Sequence, residues 1–339
     1  MSNQAPLLEL VSDFGNLYHA FWECSRGKKS NYEFQRFLCS YGERLKAVEI
    51  ELKKTRRYQW KGYREFYVHD PKKRLVMAAP FEDRIIHSAI HRMMEPIIDL
   101  QLGARTYACR HGKGNRGAAL RLQGQLMRMG KHRYCVKLDV KKYFSSVSHE
   151  VLYKRLLKAL PDESLGPLIQ SLLSSHAEYS RMSTGIPIGN LTSQLFANFY
   201  LSSVDRLACD ELGLDFFNDE QESESFYIRY MDDMVVIARE KAKAFEVANA
   251  MVKYAEGELR LNIPFHKRMP LANDPVPFLG FVLDDSGHRV LSRNERKFTK
   301  KLRRLGQQGA CLSRKASTIQ SYEAWKNIDR EVEKLKFKV

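Results

Sequence analysis

Three carboxylates interrupt segments of the sequence that are otherwise apolar. Asp139 closes the run Tyr-Cys-Val-Lys-Leu-Asp, and Asp232 and Asp233 stand inside Tyr-Met-Asp-Asp-Met-Val-Val. An acid at the end of a buried strand costs desolvation free energy unless it has a partner. Phosphoryl transfer uses divalent ions held about 4 Å apart by such acids, and Mg²⁺ keeps water and substrate phosphates as its other ligands. The pattern therefore favours metal-dependent phosphoryl transfer, with Asp139, Asp232 and Asp233 as catalytic and metal-binding residues.

Two short stretches of β-strand must position these acids. Residues 134–140 indicate a buried strand that carries Asp139, and residues 226–238 indicate a hairpin whose tip carries Asp232 and Asp233. If the two are neighbours in one sheet, Asp139 and Asp232 converge on a single metal site. The alternative interpretation is that residues 230–233 form a polar turn without catalytic function.

Around these strands, hydrophobic spacing and punctuation predict several helices. They cover residues 34–52, 81–98, 150–160, 165–174, 191–209 and 241–261. Residues 63–77 look extended, residues 278–283 indicate a strand, and residues 215–225 form an acidic loop that is an insertion or flexible. The mixed order of strands and helices predicts an α+β fold and not a doubly wound parallel sheet.

The charge balance indicates the kind of partner. Fifty-six Lys and Arg residues against 40 Asp and Glu residues leave a formal net charge of +16. Such an excess favours the binding of a polyanion such as a nucleic acid, because each phosphate that the protein neutralises releases condensed counterions. The alternative is a basic protein that binds no nucleic acid, so charge alone does not decide.

Membrane, secreted and zinc-binding classes are disfavoured. No apolar run approaches the roughly 18 residues of a spanning helix, and the N-terminus lacks the pattern of a signal peptide. The six cysteines are scattered without a Cys-x-x-Cys pair, which fits reduced thiols and argues against disulfides or structural zinc. We expect a cytoplasmic protein.

The motifs follow the order found in reverse transcriptases, and over residues 63–304 the chain resembles that family. Residues 71–75 and 81–84 resemble the fingers block, 106–117 the next block, 136–144 the A motif, 185–194 the B motif, 230–233 the C motif, 261–269 the D motif and 278–280 the E motif. Several matches in the family's order are far more specific than any one of them.

The resemblance implies a right-hand polymerase. Its parts would be an N-terminal helical extension (residues 1–62), fingers (63–134), a palm with an antiparallel sheet (135–285, including a helical segment at 150–182) and a short helical thumb (286–339). Two Mg²⁺ ions are the implied cofactors, with Mn²⁺ as an alternative ion. Val140, beside Asp139, joins the three aspartates in the implied metal site.

The resemblance also implies a nucleotide site drawn from several motifs: Lys72, Arg74, Phe144, Ile188, Gly189, Gln194 and Lys267. Phe144 falls at the family's sugar gate, where a bulky aromatic ring excludes a 2′-hydroxyl; its alternative role is core packing. Lys72 and Arg74 would hold the triphosphate or, alternatively, are solvated surface cations. Lys267 matches a lysine that protonates pyrophosphate, although the adjacent His266 blurs that assignment.

Ile188 departs from the common pattern, because most reverse transcriptases have glutamine at this position. In this respect the chain resembles the reverse transcriptases of diversity-generating retroelements, whose copying is error-prone at template adenines. A branched apolar side chain donates no hydrogen bond to the primer–template, so base-pair geometry is enforced less strictly. The alternative is a neutral packing change in a group-II-intron-like enzyme.

Basic residues mark two candidate nucleic-acid surfaces. In the thumb segment, six of them recur at helical spacing: Arg293, Arg296, Lys297, Lys300, Lys301 and Arg304. Such a helix can pack its apolar stripe on the palm and lay its cations along a duplex backbone. Residues 53–61, where Tyr58 and Trp60 stand among cations, form a second candidate that stacks on single-stranded RNA. A solvated basic face is the alternative for both.

The sequence therefore predicts an RNA-directed DNA polymerase that copies a dedicated structured RNA into cDNA from deoxynucleotides. Membership of the diversity-generating group would add error-prone copying for mutagenic retrohoming and a small basic accessory oligomer as protein partner. The alternatives are an antiphage-defence or group-II-intron-like reverse transcriptase. An RNA-dependent RNA polymerase is disfavoured by Phe144, and an inactive RNA-binding protein by the intact aspartates.

Overall fold

The computed structural model describes residues 5–69, 73–220, 223–264, 270–272 and 274–327. The chain divides into two compact units. Unit 1 comprises residues 1–103, 140–206 and 252–263, and unit 2 comprises residues 104–139, 207–251 and 264–339. Both units are discontinuous in sequence, and the boundaries of fingers, palm and thumb stay a prediction.

Helices and strands alternate irregularly along the chain. The helices are α1 (Leu7–Ser12), α2 (Phe14–Ser25), α3 (Tyr32–Leu38), α4 (Tyr41–Thr55), α5 (Phe81–Asp99), α6 (Asn115–Met129), α7 (Tyr143–Ser146), α8 (His149–Ala159), α9 (Gly166–Leu173), α10 (Ala177–Met182), α11 (Leu191–Tyr200), α12 (Ser202–Leu212), α13 (Lys241–Gly257), α14 (Ser292–Gln307) and α15 (Leu312–Lys326). The strands are β1 (Arg64–His69), β2 (Lys73–Ala78), β3 (Tyr134–Asp139), β4 (Phe226–Tyr230), β5 (Asp233–Ala238), β6 (Pro270–Ala272), β7 (Val276–Phe278), β8 (Phe281–Leu283) and β9 (His288–Val290).

Unit 1 is built around α5, which confirms the helix predicted over residues 81–98. Pro80 precedes it, and Glu82 and Asp83 lie in its first turn, where negative charge stabilises the N-terminal end of a helix. Ile86 and Ile90 on its inner face are fully buried. Among the described residues, no helix combines the length and apolarity that a membrane span requires.

The predicted helix over residues 34–52 is wrong, because the chain forms α3 and α4 with a break between them. Ser40 lies in the break with φ −142° and ψ 31°, outside helical values. Its hydroxyl accepts a hydrogen bond from Arg44 Nε at 2.9 Å. This bond connects the break to the first turn of α4.

The predicted helix over residues 191–209 is also divided, into α11 and α12. Leu201 separates the two helices, and the Ser202 hydroxyl donates to the Phe199 carbonyl at 2.8 Å. The hydroxyl thus satisfies a main-chain carbonyl acceptor next to the break. On α11, Thr192 is buried and its hydroxyl lies 2.7 Å from Nδ1 of His87, a residue of α5.

Unit 2 contains a four-stranded antiparallel sheet in the order β4-β5-β3-β6. Its strands confirm the predicted strand at residues 134–140 and the predicted hairpin at residues 226–238. Cys135, Ile228, Val235 and Ile237 are fully buried in one core cluster with residues of α6. β-Branched side chains suit a buried pleated surface, and alternation along β3 places Lys137 and Asp139 on the same face as Cys135.

A three-stranded antiparallel sheet, β7-β8-β9, follows in unit 2. The single strand predicted over residues 278–283 is wrong, because Leu279 (φ 50°) and Gly280 (φ 95°) form a tight turn there. Two consecutive residues at positive φ are the geometry of a two-residue β-hairpin. A Cβ on Gly280 would lie 2.7 Å from Nδ2 of Asn294, so the turn requires glycine.

Candidate active site

Strand pairing places the three predicted carboxylates of unit 2 at one end of its larger sheet. Tyr230 and Asp233 pair across the β4–β5 hairpin, and Met231 and Asp232 form the turn between them. On the other side of β5, Asp233 lies directly opposite Asp139 of β3. The convergence of Asp139 and Asp232 expected from adjacent strands is therefore present.

The carboxyl groups of Asp139 and Asp232 lie close enough for a hydrogen bond to join them. Such a bond requires one proton between the two groups. Burial, and then the neighbouring Asp139 carboxylate, raises the pKa of Asp232 to about 7. Two carboxyl groups this close cannot both ionise without a cation to offset the repulsion.

Asp233 has a different environment, because it forms an ion pair with Lys137. Lys137 Nζ lies 2.9 Å from Oδ1 and 3.0 Å from Oδ2 of Asp233. The same ammonium donates to the Pro277 carbonyl at 2.7 Å. The sequence reasoning missed Lys137, although its position two residues before Asp139 places both side chains on one face of β3.

The donor set fits a divalent cation that retains much of its hydration. Among the described residues, no cluster of three or more His, Cys, Asp or Glu side chains is arranged to hold a metal. The protein would supply the carboxylates of Asp139 and Asp232, and water and substrate phosphates would complete the shell, as is usual for Mg²⁺. Val140 is buried and apolar, so only its main-chain oxygen could serve as a ligand.

A buried arginine supports the turn that carries Asp232. Arg229, on β4, is fully buried, and its Nη1 donates to the Met231 carbonyl at 3.0 Å. Met231 has φ 57°, a left-handed value that costs free energy for a residue other than glycine. The sequence signal for Arg229 is a single cation inside the apolar strand Phe-Tyr-Ile-Arg-Tyr, and the sequence reasoning did not use it.

The main chain of Arg229 is fixed by a segment on the outer edge of β4. Arg229 N–H donates to the Arg105 carbonyl at 3.0 Å, and Tyr107 N–H donates to the Arg229 carbonyl at 3.0 Å. Asp219 ties the acidic loop to this segment, because it accepts hydrogen bonds from Arg121 Nε at 2.9 Å and from the Tyr107 hydroxyl. The loop is therefore anchored to the strand that precedes the turn with Met231 and Asp232.

In unit 1, main-chain hydrogen bonds join three of the predicted nucleotide-site segments. Ile186 N–H donates to the Phe144 carbonyl at 2.8 Å, and Met77 N–H donates to the Ile188 carbonyl at 3.0 Å. The Phe144 ring is partly buried, as is the Ile188 side chain. The residue proposed as a sugar gate, the B-motif loop and the end of β2 thus form one connected structure.

The other predicted nucleotide-site residues of unit 1 differ in exposure. Gly189 has φ 123°, and a Cβ there would lie 3.3 Å from the Met77 carbonyl oxygen, so this close approach favours glycine. Arg74, on β2, is exposed and Gln194, on α11, is partly buried. Lys72 and Lys267 lie outside the described residues.

The predicted thumb helix is α14 of unit 2, and its two faces are as expected. The six predicted nucleic-acid-binding cations are all exposed: Arg293, Arg296, Lys297, Lys300, Lys301 and Arg304. On the other face, Phe298 stacks on Tyr322 of α15 with ring centroids 3.7 Å apart, and Leu305 is buried. The apolar stripe therefore packs on α15, a contact that the sequence reasoning did not foresee.

A family model matches most of the chain. Residues 68–283 match the model described as "Reverse transcriptase (RNA-dependent DNA polymerase)". The matched region contains β3, the β4–β5 hairpin and the segments joined in unit 1. It therefore covers Asp139, Asp232 and Asp233.

Curated proteins of two bacteria are similar to this chain over part of their length. "Protein YkfC" of Escherichia coli (strain K12) is 26% identical over 243 residues, which cover 63% of this chain and 62% of that protein. "Group II intron-encoded protein LtrA" of Lactococcus lactis subsp. cremoris is 24% identical over 231 residues, covering 65% and 37%. The chain thus spans about three fifths of the first relative and over one third of the second.

Solved structures also resemble the chain. The "Partial Cas6-RT-Cas1--Cas2 complex" has a TM-score of 0.44 and 20% identity, and covers 75% of this chain and 42% of that one. "Structure of apo telomerase from Candida Tropicalis" has a TM-score of 0.48 and 9% identity, and covers 67% and 48%.

Proposed function

Because the chain belongs to the reverse transcriptase family, we propose that it is an RNA-directed DNA polymerase with Asp139 and Asp232 as its catalytic carboxylates. The α+β polymerase fold predicted from the sequence is confirmed. The reaction is attack of a primer 3′-hydroxyl on the α-phosphate of a deoxynucleotide, directed by an RNA template. The net charge of +16 suits the polyanionic template and product.

The close pair of Asp139 and Asp232 carries this proposal. A catalytically inactive RNA-binding protein has no need to hold two partly buried carboxyl groups side by side, since their repulsion and desolvation destabilise the fold. Enzymes retain such pairs where the pair does chemistry. Arg229 supports the same interpretation, because it stabilises the strained turn on which Asp232 lies.

The family generally uses divalent metal ions, and we propose two Mg²⁺ ions for this chain. Bound there, the ions would lower the pKa of the attacking hydroxyl and stabilise charge on the phosphate. Asp139 and Asp232 would hold them, and the Lys137–Asp233 ion pair would keep Asp233 fixed beside the pair.

Primer extension tests the polymerase proposal. The full chain is given an RNA template, a DNA primer, deoxynucleotides and Mg²⁺, and the blank is Asp232→Asn. Extension by the wild type, with loss in the variant, supports the proposal. Absence of extension with both Mg²⁺ and Mn²⁺, while template–primer still binds, contradicts it.

For template use, we propose a dedicated structured RNA and copying that is error-prone at adenines. The Ile188 side chain supports this proposal, because it presents branched apolar surface where the family's common glutamine offers hydrogen bonds. A small basic accessory oligomer would then be the protein partner. Similarity to a group II intron-encoded protein favours the competing assignment, a group-II-intron-like enzyme in which Ile188 is a packing change.

Sequencing of cDNA distinguishes the two assignments. Errors concentrated at template adenines, and reduced in Ile188→Gln, support the diversity-generating assignment. Errors spread evenly over the bases, or unchanged in Ile188→Gln, support the group-II-intron-like assignment. Ile50→Gln is the matched control, because Ile50 is exposed on α4 and lies outside the predicted nucleotide site.

A further inference from the structure

Unit 1 contains an open cleft of about 480 Å³ that includes none of the predicted catalytic or nucleotide residues. One wall is the segment after α4, and the other is the C-terminal end of α9 with the residues that follow it. The lining side chains used below are Arg57, Trp60, Gln170, Ser171, Ser174 and Ser175. We call this the α9 cleft. Its volume lies within the range of about 300–1,000 Å³ that small ligands occupy.

Trp60 provides a fixed aromatic surface in the α9 cleft. Its indole Nε1 donates to the Ser171 hydroxyl at 3.2 Å. Its ring lies edge-on to Tyr58 and tilted against His87, with both centroid distances 4.9 Å. Tyr58 is itself held by a hydrogen bond from its hydroxyl to Asp83. A ring fixed from three sides loses little conformational entropy when a base stacks on it.

Of the described residues that line the cleft, one is a cation, Arg57. Within the described part of the chain, the Arg57 guanidinium has no ion-pair or hydrogen-bond partner. Lys54 and Arg56 are exposed beside it at the end of α4, whereas Lys53 is paired with Glu49 at 2.7 Å. An unpaired guanidinium offers the planar set of donors that binds a phosphate.

The opposite wall is polar and can bond a sugar or a base edge. Gln170 and Ser174 are exposed, and Ser171 and Ser175 are partly buried. The Ser175 hydroxyl already contacts the Tyr63 hydroxyl at 2.8 Å and the Leu172 carbonyl at 2.6 Å, which fixes its position. A hydroxyl has one donor and two acceptor positions, so a further ligand hydroxyl can still bind.

We propose that the α9 cleft binds one nucleotide of a single-stranded RNA segment. The base stacks on Trp60, the phosphate pairs with Arg57, and the ribose hydroxyls bond the serine and glutamine wall. Single-stranded RNA is favoured over DNA, because the 2′-hydroxyl is the group that a polar wall of this kind distinguishes. A peptide is disfavoured, because every described lining residue other than Tyr58 and Trp60 is polar or charged.

Trp60 fluorescence tests the proposal at the cleft itself. The chain has three tryptophans, and Trp22→Phe with Trp325→Phe leaves Trp60 as the reporter. A 12-nucleotide single-stranded RNA of mixed sequence is titrated in EDTA without deoxynucleotides. Quenching that saturates, and that DNA of the same sequence produces only at concentrations at least tenfold higher, is the expected result.

Matched charge changes test the contacts in the otherwise wild-type chain by fluorescence anisotropy of labelled RNA. Arg57→Glu with Ser174→Glu changes the cleft, and Lys29→Glu with Ser30→Glu makes the same charge change at exposed positions outside it. We expect the Kd for RNA to rise at least tenfold in the cleft variant and less than twofold in the control. Equal weakening in both variants overturns the proposal.

Two further outcomes also overturn it. RNA and DNA could quench Trp60 equally, or a free nucleotide such as AMP could quench it as strongly as the oligonucleotide; either would mean that the cleft does not select an RNA segment. The measurements need neither metal nor polymerisation. The RNA-site proposal can therefore be wrong while primer extension is observed, and it can be right when primer extension is absent.

Discussion

The Arg229 guanidinium donates a hydrogen bond to the Met231 carbonyl, 3.0 Å away, and so connects a buried strand to the turn that presents Asp232. The turn needs this support, because Met231 adopts a left-handed conformation with φ 57°. The Arg229 main chain is in turn bonded to Arg105 and Tyr107. Under the proposed function, Arg229 is thus a positioning residue for the carboxylate of Asp232.

Replacement of Arg229 by lysine should separate positioning from binding. Lysine keeps the charge but lacks the planar set of donors of a guanidinium, so the Met231 carbonyl loses its hydrogen bond and the turn loosens. We expect kcat for primer extension to fall at least about 10-fold, or about 1.4 kcal/mol, with the Kd for template–primer unchanged. Steady-state kinetics and anisotropy measure the two quantities.

Arg239→Lys is the matched control for that variant. Arg239 follows β5 in the same unit and bonds the main-chain carbonyls of Met129 and His132. The same chemical change away from the catalytic turn should leave kcat within about twofold. Equal losses in both variants would mean that Arg229 acts only through general stability.

Asp232→Asn should remove activity without lowering stability. An amide can still hydrogen-bond to Asp139 and removes one of two adjacent, partly buried charges, so the repulsion of the pair disappears. We expect primer extension to fall on the order of 10³-fold or more, and the Tm measured in EDTA to stay equal or rise. Asp274→Asn, at an exposed site in the same unit, should change neither; extension retained by Asp232→Asn would sink the assignment of Asp232.

The sequence predicts the strands of the site well, because a short apolar run is a local property. β4 and β5 are buried on both faces over most of their length, so hydrophobic burial accounts for the strand pairing that brings the acids together. The same holds for α5, whose buried apolar residues recur at helical spacing. These features depend on neighbours in sequence.

Contacts across long separations explain what sequence analysis missed. The bond from Lys137 to Pro277 spans 140 residues, and the link from Tyr107 to Asp219 spans 112; no local pattern encodes either partner. Hydrophobic periodicity also does not register the non-helical main chain of Ser40 or the bond from the Ser202 hydroxyl to the Phe199 carbonyl beside Leu201. Lys137 was within reach through its spacing from Asp139, and Arg229 through its position as a single cation in an apolar strand.

Phe144→Ala should widen sugar selection. The partly buried Phe144 ring lies beside the B-motif loop, to which its main chain is bonded, and removal of the ring leaves room for a 2′-hydroxyl. We expect the ratio of kcat/KM for deoxynucleotides to that for ribonucleotides to fall at least about 10-fold, or about 1.4 kcal/mol. Phe217→Ala, which removes an exposed ring, is the control; an unchanged ratio in Phe144→Ala would assign that ring to the core.

Lys300→Ala with Lys301→Ala should reduce the salt dependence of binding to an RNA–DNA duplex. Each cation that neutralises a phosphate contributes a slope of about 0.9 in log K against log salt for duplex DNA. If both α14 lysines contact phosphates of the duplex, the magnitude of the slope of log K against log salt should fall by about 1.8 in the variant. Lys29→Ala with Lys158→Ala removes the same charge from exposed positions outside α14 and should leave the slope unchanged. Equal slopes in the two variants would mean that α14 presents only a solvated face.

His87 should make the folded protein sensitive to acid. Burial lowers the pKa of His87 to about 3, whereas an unfolded imidazole titrates near about 6.5. Between these values the unfolded state binds the extra proton, so stability falls as the pH falls. Asp83 acts in the opposite direction, because burial raises its pKa to about 6. Its contribution is common to the wild type and a His87 variant, so it cancels in the difference between their free energies of unfolding.

His87→Gln can keep a hydrogen bond to Thr192 and removes the titrating ring. From pH 7 to pH 5, the wild type should lose about 2 kcal/mol of unfolding free energy relative to this variant. Urea denaturation followed by tryptophan fluorescence measures the difference, since Trp60 lies 4.9 Å from His87. His69→Gln, at an exposed position on β1, should show no such change. If the difference in unfolding free energy between the wild type and His87→Gln stays constant from pH 7 to pH 5, His87 takes up its proton in the folded state as readily as in the unfolded state. The imidazole would then have a hydrogen-bond acceptor or a water molecule that stabilises its charged form.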